Sequence, residues 1–370
     1  MDDTAAATAM HFMCEDYFNP AAAYASAAET EKKIHTARVV FAEALACKPE
    51  EILFTSGGTE SNNMTASGVL KKWRGPGKII TTEMEHPSVY ETLRAAAAER
   101  KLTLAVVPVD EAGRPSAEAL GSMLDDTTVL VSLMHVNNEL GTVTDIASLY
   151  TMVKETAPQA AFHADGVQGF LKCPVSAAAM DFYSASAHKF HGPKGVGFLY
   201  ARSGVPFSGG QTGGGQEFNL RSGTLNVPGI MAAAAAVKAY REQHEAILST
   251  LLACKKRLYR NMTALGDVLL NGPGIEEGAP HILNLSFMGV RSAVLINALS
   301  ALGTYVSAGS ACSSHKKNGN RVLNAAGITG ARQESAVRFS FGKYNTEAEV
   351  DTVSQQIEDQ IKILRRYRRR

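Results

Sequence analysis

Cysteine is scarce in this sequence, with five among 370 residues, at positions 14, 47, 173, 254 and 312. The five are widely spaced, odd in number and form no Cys-x-x-Cys pair. Disulfide frameworks and thiolate zinc sites are typically built from paired cysteines. We therefore expect free thiols, most of them small buried side chains.

Long apolar runs and a net charge are also missing. The longest wholly apolar run, residues 230–237, is far shorter than the ~20 residues of a membrane-spanning helix. The first residues show neither the basic region nor the apolar core of a secretory signal. With 37 Lys and Arg against 36 Asp and Glu, no global field attracts nucleic acid or an anionic membrane. These absences predict a cytoplasmic protein that binds neither nucleic acid nor membranes.

Short apolar runs alternate with helical patterns from residue 51 onward. Strands are predicted at 51–55, 78–82, 104–109, 128–132, 160–164, 180–184 and 195–201, with helical segments between several of them. Parallel strands need crossover helices that cover both faces of the sheet. The pattern is therefore typical of an α/β protein with a mostly parallel seven-stranded sheet.

A change of pattern near residue 240 predicts a second domain. An alanine-rich helical stretch covers 228–265, followed by strands at 281–286 and 336–340 and helices at 292–302 and 347–370. This arrangement is typical of a small α+β domain. We predict a large domain at 15–240 and a smaller domain formed by 1–14 and 241–370.

Residues 55–63, TSGGTESNN, place two glycines between a predicted strand and a predicted helix. Glycines let a ligand approach the backbone, and a helix N-terminus offers N–H groups with a positive dipole. The combination suits a phosphate group. Because the motif matches neither common nucleotide-binding glycine pattern, a helix cap with a tight turn is the alternative.

Asp165 and Lys189 follow two predicted strands. An acid that keeps a pyridine nitrogen protonated and a lysine that binds an aldehyde are the two groups that pyridoxal phosphate requires. For an arbitrary pair, a capping aspartate and a solvated lysine would be the ordinary interpretation. Here Ser186 and His188 stand beside Lys189 and can donate to the same phosphate, which favours the cofactor. His188 and His191 have no carboxylate or thiolate at ligand spacing, so no metal site is predicted.

Three further side chains suit catalysis or substrate binding. His86 can stack on an aromatic ring and exchange protons near pH 7, with a simple turn residue as the alternative. Cys312 lies among small residues in SAGSACSS (307–314), on a loop that can expose its sulfur. Arg338 interrupts an apolar strand pattern and can bind a carboxylate, or form an internal salt bridge.

Taken together, these motifs resemble the cysteine desulfurases of the class V aminotransferase group, within the fold-type I pyridoxal-phosphate enzymes. The resemblance covers nearly the whole chain. It rests on nine ordered motifs: FTSGGTESNN (54–63), EHPS (85–88), MHVNNELG (134–141), HADGVQ (163–168), SASAHKFHGPKGVG (184–197), GGGQE (213–217), RSGT (221–224), SAGSACSS (307–314) and VRFSFG (337–342).

The resemblance implies a phosphate site and a covalent attachment point. Gly58, Thr59, Ser186 and His188 would hold the phosphate of pyridoxal phosphate, and Lys189 would bind its aldehyde. Thr224 matches a threonine that reaches the phosphate of a neighbouring subunit. A homodimer with shared sites is therefore implied.

The resemblance also implies roles around the cofactor ring and the substrate. Asp165 would pair with the pyridine nitrogen and Gln168 with the ring hydroxyl, while His86 would stack on the ring and transfer protons. Asn138 would lie near the cofactor and the substrate carboxylate, whose main anchor would be Arg338.

The implied reaction converts L-cysteine to L-alanine and leaves a persulfide on Cys312, which passes its sulfur to an acceptor protein. The spacing between Cys312 and Arg338 is like that of the branch that serves iron–sulfur cluster assembly. Residues 1–8 match the family's first strand only in part, and Tyr24 stands where a histidine is usual. Selenocysteine lysis, amino-group transfer and a weakly active homologue that acts as a binding partner are the alternatives.

Overall fold

The computed structural model describes residues 1–309 and 320–366 of the chain. It divides into two compact units. The first consists of Met1–Val107, Ala117–His135 and Thr144–His244, and the second of Pro108–Ser116, Val136–Val143 and Glu245–Arg370.

The first unit is built on a seven-stranded sheet in the order β1-β7-β6-β5-β4-β2-β3. Only β7 runs antiparallel to its neighbours. The predicted α/β fold with a mostly parallel seven-stranded sheet is confirmed. The strands are β1 (Ile52–Thr55), β2 (Lys78–Thr82), β3 (Thr103–Val107), β4 (Thr128–Met134), β5 (Ala161–Asp165), β6 (Phe182–Ser186) and β7 (Gly197–Ala201).

Seven helices lie wholly within the first unit, and several begin at the polar caps that the sequence supplies. The Asp145 side chain accepts from the Ser148 N–H at the start of α6, and Asn226 accepts from Gly229 at the start of α7. The helices are α1 (Asp3–Cys14), α2 (Ala25–Leu45), α3 (Gly58–Lys72), α4 (Pro87–Arg100), α5 (Ala117–Met123), α6 (Ile146–Thr156) and α7 (Val227–Glu242).

The strands are apolar because helices cover them. All seven residues of β4 are buried, as expected for a strand in the middle of a parallel sheet. Leu53, Ile79, Leu130 and Phe182 of the sheet pack with Met64 of α3 in one apolar cluster. This core supports the edge of the sheet at which β5 and β6 end.

The prediction that residues 1–14 belong to the smaller domain is wrong. Residues 3–14 form α1, which packs against α7 in the first unit. Ala5 and Phe12 are its buried side chains, and the small alanines on both helices allow their backbones to approach closely. The backbone N–H of Asp2 also donates to the carbonyl of His191.

The second unit contains an antiparallel sheet in the order β10-β9-β8. Leu285 of β9 and Val337 of β10 pack with Leu258 and Ile357 from two helices in its core. Its strands are β8 (Val268–Asn271), β9 (Ile282–Phe287) and β10 (Ala336–Ser340), and its helices are α8 (His244–Thr263), α9 (Ser292–Ala301), α10 (Arg321–Ala325), α11 (Gly330–Glu334) and α12 (Glu347–Arg366).

Two features of this unit differ from the sequence-based expectation. β8 was not predicted, because only one of its four residues is buried and its hydrophobic signal is weak. The segment Val136–Val143, which contains Asn138, belongs to the second unit although it lies within the range 15–240. It is held there by backbone pairing, since the Ala279 N–H donates to the carbonyl of Gly141.

Among the described residues, no helix is both long and apolar enough to cross a bilayer.

Candidate active site

The predicted cofactor residues of the first unit collect at the ends of β5 and β6 and the start of α3. β5 ends at Asp165 and β6 at Ser186, and the two strands are parallel and adjacent. A 3₁₀ turn over Ala187–Phe190 follows β6 and carries Lys189. Because parallel strands end at a common edge, these side chains come together although they are distant in sequence.

Asp165 is buried, with a fractional exposure of 1%. One carboxylate oxygen accepts from Asn62 Nδ2 at 2.9 Å and the other from the Val167 N–H at 3.0 Å. Burial raises the pKa of Asp165, and the charges of His86 and Lys189 act against this effect. The site thus holds a desolvated acid close to two potential cations.

Asn62 links Asp165 to His86 through Ser88. Its Nδ2 donates to Ser88 Oγ at 2.9 Å as well as to Asp165, and Ser88 Oγ lies 2.7 Å from His86 Nδ1. His86 Nδ1 also accepts from the Ser88 backbone N–H at 3.1 Å. A ring nitrogen that accepts carries no proton, so neutral His86 has its proton on Nε2. The Oδ1 atom of Asn62 is buried and has no hydrogen-bond partner among the described residues.

The glycine turn before α3 lies directly against the end of β6. A Cβ atom at Gly57 would lie 3.4 Å from Ser186 Oγ, and one at Gly58 would lie 2.4 Å from a Val167 methyl carbon. Gly57 has φ +147°, which also favours glycine. The first turn of α3, with Gly58 and Thr59, has N–H groups that the helix itself cannot satisfy.

Ser186 and His188 are joined on the other side of this turn. Ser186 Oγ lies 3.0 Å from His188 Nδ1. Burial lowers the pKa of His188, and the positive charges of Lys189, Lys194 and Lys172 lower it further. Ser186 is buried, whereas Thr59 and His188 are exposed.

Gln168 and Thr224 differ in their relation to this edge. Gln168 lies in the helical turn that follows Asp165 and is half-buried. Thr224 is exposed and forms no hydrogen bond with any other described residue. Gln168 therefore lies close in the chain to Asp165, whereas no hydrogen bond among the described residues connects Thr224 to this edge.

The second unit brings Asn138 and Arg338 together. Arg338 Nη1 donates to the carbonyl of Asn138 at 2.9 Å, and the backbone of Arg338 pairs with Ser307. Burial lowers the pKa of Arg338, while the charge of Glu139 acts in the opposite direction. Arg338 Nε is buried without a hydrogen-bond partner in residues 1–309 and 320–366.

Cys312 lies outside the described residues, so its predicted exposure is not tested. The other four cysteines are free thiols: Cys173 and Cys254 are buried, Cys47 is half-buried and Cys14 is exposed. Burial raises the pKa of Cys47 to about 12, and the charge of Glu51 raises it further. Among the described residues, no group of three His, Cys, Asp or Glu side chains could hold a metal ion.

Asn62 and Ser88 belong to quoted motifs, but the sequence did not indicate that they connect the acid to the histidine. Asn62 stands four positions after Gly58 and so shares a helix face with the turn, a signal that could have found it. Its partner Asp165 is 103 positions away, a distance that no local pattern bridges.

The sequence matches a known family and curated relatives. The family model described as aminotransferase class-V matches residues 3–353. Cysteine desulfurase IscS of Salmonella arizonae is 37% identical over 95% of this chain and 87% of its own length, and IscS of Klebsiella pneumoniae gives the same values.

Solved structures extend the agreement to the fold. A NifS-like protein superposes with a TM-score of 0.92 and 36% identity, covering 98% of this chain and 96% of its own. A structure of SspA in complex with cysteine has a TM-score of 0.79 and 27% identity over 94% of this chain and 97% of its own. The resemblance seen in the motifs is confirmed: the chain belongs to the class-V aminotransferase family and, within it, to the cysteine desulfurases of the IscS and NifS type.

Proposed function

We propose that this protein is a cysteine desulfurase that uses pyridoxal phosphate to convert L-cysteine to L-alanine and transfers the sulfur to an acceptor protein. One observation carries the proposal: the buried acid Asp165, the half-buried Lys189 and the glycine-opened start of α3 share one edge of the first unit. Family membership supports the same activity.

The residues at this edge fit pyridoxal phosphate. The buried Asn62 Oδ1 without a partner and the turn that excludes a Cβ at Gly58 are features of a site built for a polar ligand close to the backbone. When bound, pyridoxal phosphate supplies an aldehyde for a lysine and a ring that stabilises negative charge on the α-carbon of an amino acid.

Each side chain has a role that its surroundings support. The N–H groups of Gly58 and Thr59, together with Ser186 and His188, would hold the phosphate, because a helix start and two donors suit an anion. Asp165 would keep the pyridine nitrogen protonated, and its raised pKa would fall once a cation lies beside it.

Three further residues of the first unit have proposed roles at the ring. Lys189 would provide the amine that binds the aldehyde. His86 would stack on the ring and offer the Nε2 proton that its hydrogen bonds to Ser88 assign. Gln168 would donate to the ring hydroxyl.

Asn138 and Arg338 would bind the substrate carboxylate, and Asn138 would also lie near the cofactor. The buried Arg338 Nε is a donor that the described residues leave unused, which supports a ligand for this side chain.

Cys312 would take the sulfur. The C–S bond of the substrate breaks and an S–S bond to Cys312 forms. The electron pair of the C–S bond stays on carbon, which gains a proton to become the methyl group of alanine. No external oxidant or reductant is needed.

The partners follow from the same reasoning. Thr224 is exposed and makes no hydrogen bond with the residues that the structure describes, which supports a role at the phosphate of a second subunit in a homodimer. A cytoplasmic location and sulfur delivery for iron–sulfur clusters or another sulfur cofactor complete the proposal.

The test is to load the protein with pyridoxal phosphate, add L-cysteine, quantify alanine and locate the added sulfur by peptide mass spectrometry. We expect alanine and one additional sulfur on Cys312, and a loss of at least about 1,000-fold in Lys189→Ala. Cys14→Ala, which removes an exposed thiol, is the matched control and should retain the parent rate. Alanine formation by Lys189→Ala at the parent rate would overturn the proposal. Sulfide release by Cys312→Ala at the parent rate would favour a lyase.

A further inference from the structure

Lys172 is a buried lysine that the proposed function does not use. Its fractional exposure is 7%, and its Nζ donates to the main-chain carbonyl of Lys189 at 2.6 Å. Among the described residues, no carboxylate lies within salt-bridge distance of Nζ. A lysine rarely remains buried without a counter-charge unless its position has a use.

The backbone holds Lys172 in place. The turn that follows Asp165 is closed by hydrogen bonds from Phe170 to Gly166 and from Cys173 to Gly169. Leu171, the residue before Lys172, has a left-handed φ of 64°, and its carbonyl lies 3.1 Å from His244 Nε2. Such a conformation persists only where surrounding contacts enforce it. The Lys172 amine is thus directed at the Lys189 turn.

On the other side, Lys189 lies within a short 3₁₀ turn that ends at His191, which has a left-handed φ of 68°. The last carbonyl groups of a helical turn receive no hydrogen bond from within the turn, so they need a donor from outside it. Lys172 is that donor for the carbonyl of Lys189 itself.

The charges around Lys172 are mostly positive. Burial lowers the pKa of Lys172 to about 7, and the charge of Lys189 lowers it further, whereas an ionised Cys173 would raise it. His188, in the same turn as Lys189, also interacts with the Lys172 charge. Asp165 is the opposing carboxylate that interacts with Lys189.

We propose that Lys172 is a positioning residue for Lys189: it caps the turn that carries Lys189 and, by its like charge, disfavours a proton on the Lys189 nitrogen. This inference rests on the proposed function. Two neighbouring cations, one of them buried, disfavour each other's charged forms, and a lysine nitrogen must lose its proton to bind an aldehyde. Lys172 therefore keeps the attachment nitrogen reactive near neutral pH.

The experiment follows the visible absorbance of pyridoxal phosphate attached to Lys189 as a function of pH, in the full protein without substrate. Lys172→Met removes the charge and the donor, and Lys172→Arg keeps a charge at every pH of the titration. We expect the titration midpoint to be highest in Lys172→Met, by about one pH unit, intermediate in the parent and lowest in Lys172→Arg. Lys194→Met, at an exposed lysine whose charge also acts on His188, is the matched control and should leave the midpoint unchanged.

Thermal unfolding of each variant separates this role from a structural one, since a structural role would lower stability without moving the midpoint. An unchanged midpoint in Lys172→Met overturns the role of Lys172. If Lys172→Met does not fold, a Lys172→Arg midpoint that is not below the parent's overturns it. A parent protein without any Lys189-dependent band overturns the proposed function and this inference with it, whereas a band with equal midpoints overturns this inference alone.

Discussion

The two units present their functional side chains in different ways. In the first unit, Asp165, Asn62, Ser88 and His86 form one chain of hydrogen bonds, and Lys172 holds the turn of Lys189. The buried Asn62 Oδ1, an acceptor, has no partner among the described residues. In the second unit, Arg338 donates through Nη1 to the carbonyl of Asn138, and its buried Nε is a donor without a partner among the described residues.

Under the proposed function, we infer that this difference corresponds to two kinds of ligand. Side chains whose positions are set by buried partners suit a cofactor that stays in place, because they need no rearrangement when it binds. A buried donor without a hydrogen-bond partner suits a substrate that binds and dissociates, because its hydrogen bond forms only when the ligand is present. The following predictions test whether the first unit is fixed and the second adaptable.

The largest effect is expected at Glu217 of the first unit. Its carboxylate accepts from Arg38 at 2.6 and 2.8 Å and from the Phe54 N–H at 2.7 Å, and both charged residues are buried. Glu217→Gln leaves Arg38 without its counter-charge, so we expect the free energy of unfolding to fall by about 3–5 kcal/mol. Denaturant unfolding, followed by the fluorescence of Trp73, measures this free energy, because Trp73 is the single tryptophan and lies in the first unit.

The matched control is Asp351→Asn in the second unit, which breaks an exposed pair with Arg257. Water screens that pair, so we expect a much smaller change, followed by circular dichroism. Equal losses in the two variants would show that burial does not distinguish the ion pairs of the two units.

An intermediate effect is expected at Arg338. Arg338→Lys cannot reproduce the planar fork, and a lost charge-assisted hydrogen bond of about 1.5–3 kcal/mol corresponds to a KM for cysteine raised roughly 10- to 100-fold. The visible band of bound pyridoxal phosphate should not change. Arg332→Lys is the control, since the Arg332 guanidinium donates to Asn271 and to the carbonyl of Leu270, both in the second unit. Loss of the band in Arg338→Lys would contradict a role limited to substrate.

The smallest effect concerns two buried histidines beneath the edge of the first unit. Burial lowers the pKa of His163 to about 3 and that of His135 to about 4, from an ordinary value of 6.5. The unfolded chain therefore binds protons below pH 6.5 that the folded chain does not. Their contribution to stability is therefore fully present well above pH 6.5 and falls as the pH drops below 6.5 toward the folded pKa values, by about 1.4 kcal/mol for each histidine at one unit below 6.5.

Unfolding of the parent and of His163→Gln between pH 5 and 7.5 measures this contribution through the difference in pH slope. We expect a shallower slope in the variant, whatever its absolute stability. Identical slopes would show that His163 binds a proton in the folded state as readily as in the unfolded state. The first unit would then be less rigid around His163 than we infer.

Much of the fold was predictable because it depends on local patterns. The apolar runs that became β4 and β5 are buried on both faces, so their composition alone distinguishes them. β8 escaped prediction because it is mostly half-exposed, and α1 was assigned to the wrong unit because its partner α7 lies more than 200 positions away.

The candidate site was predictable to the extent that its residues lie in contiguous motifs. Asp165, Ser186, His188 and Lys189 could be named because each lies in a short motif at or just after the end of a predicted strand. The hydrogen bonds that hold them could not be predicted, since Asn62 is 103 positions from Asp165 and Lys172 is 17 positions from Lys189. Arg38 and Glu217 are likewise 179 positions apart, so no local pattern predicts that they pair.

The sequence by itself determined the α/β class, the family and most of the chemistry-bearing residues, because residue type and short-range periodicity set the backbone conformation and the reactive groups available. Only the tertiary structure decided which side chains share a hydrogen bond and which unit holds residues 1–14 and Asn138. It also decided that the buried Lys172 contacts the turn that carries Lys189. Those outcomes depend on how strands are ordered in the sheet, and strand order brings together residues that no local pattern connects.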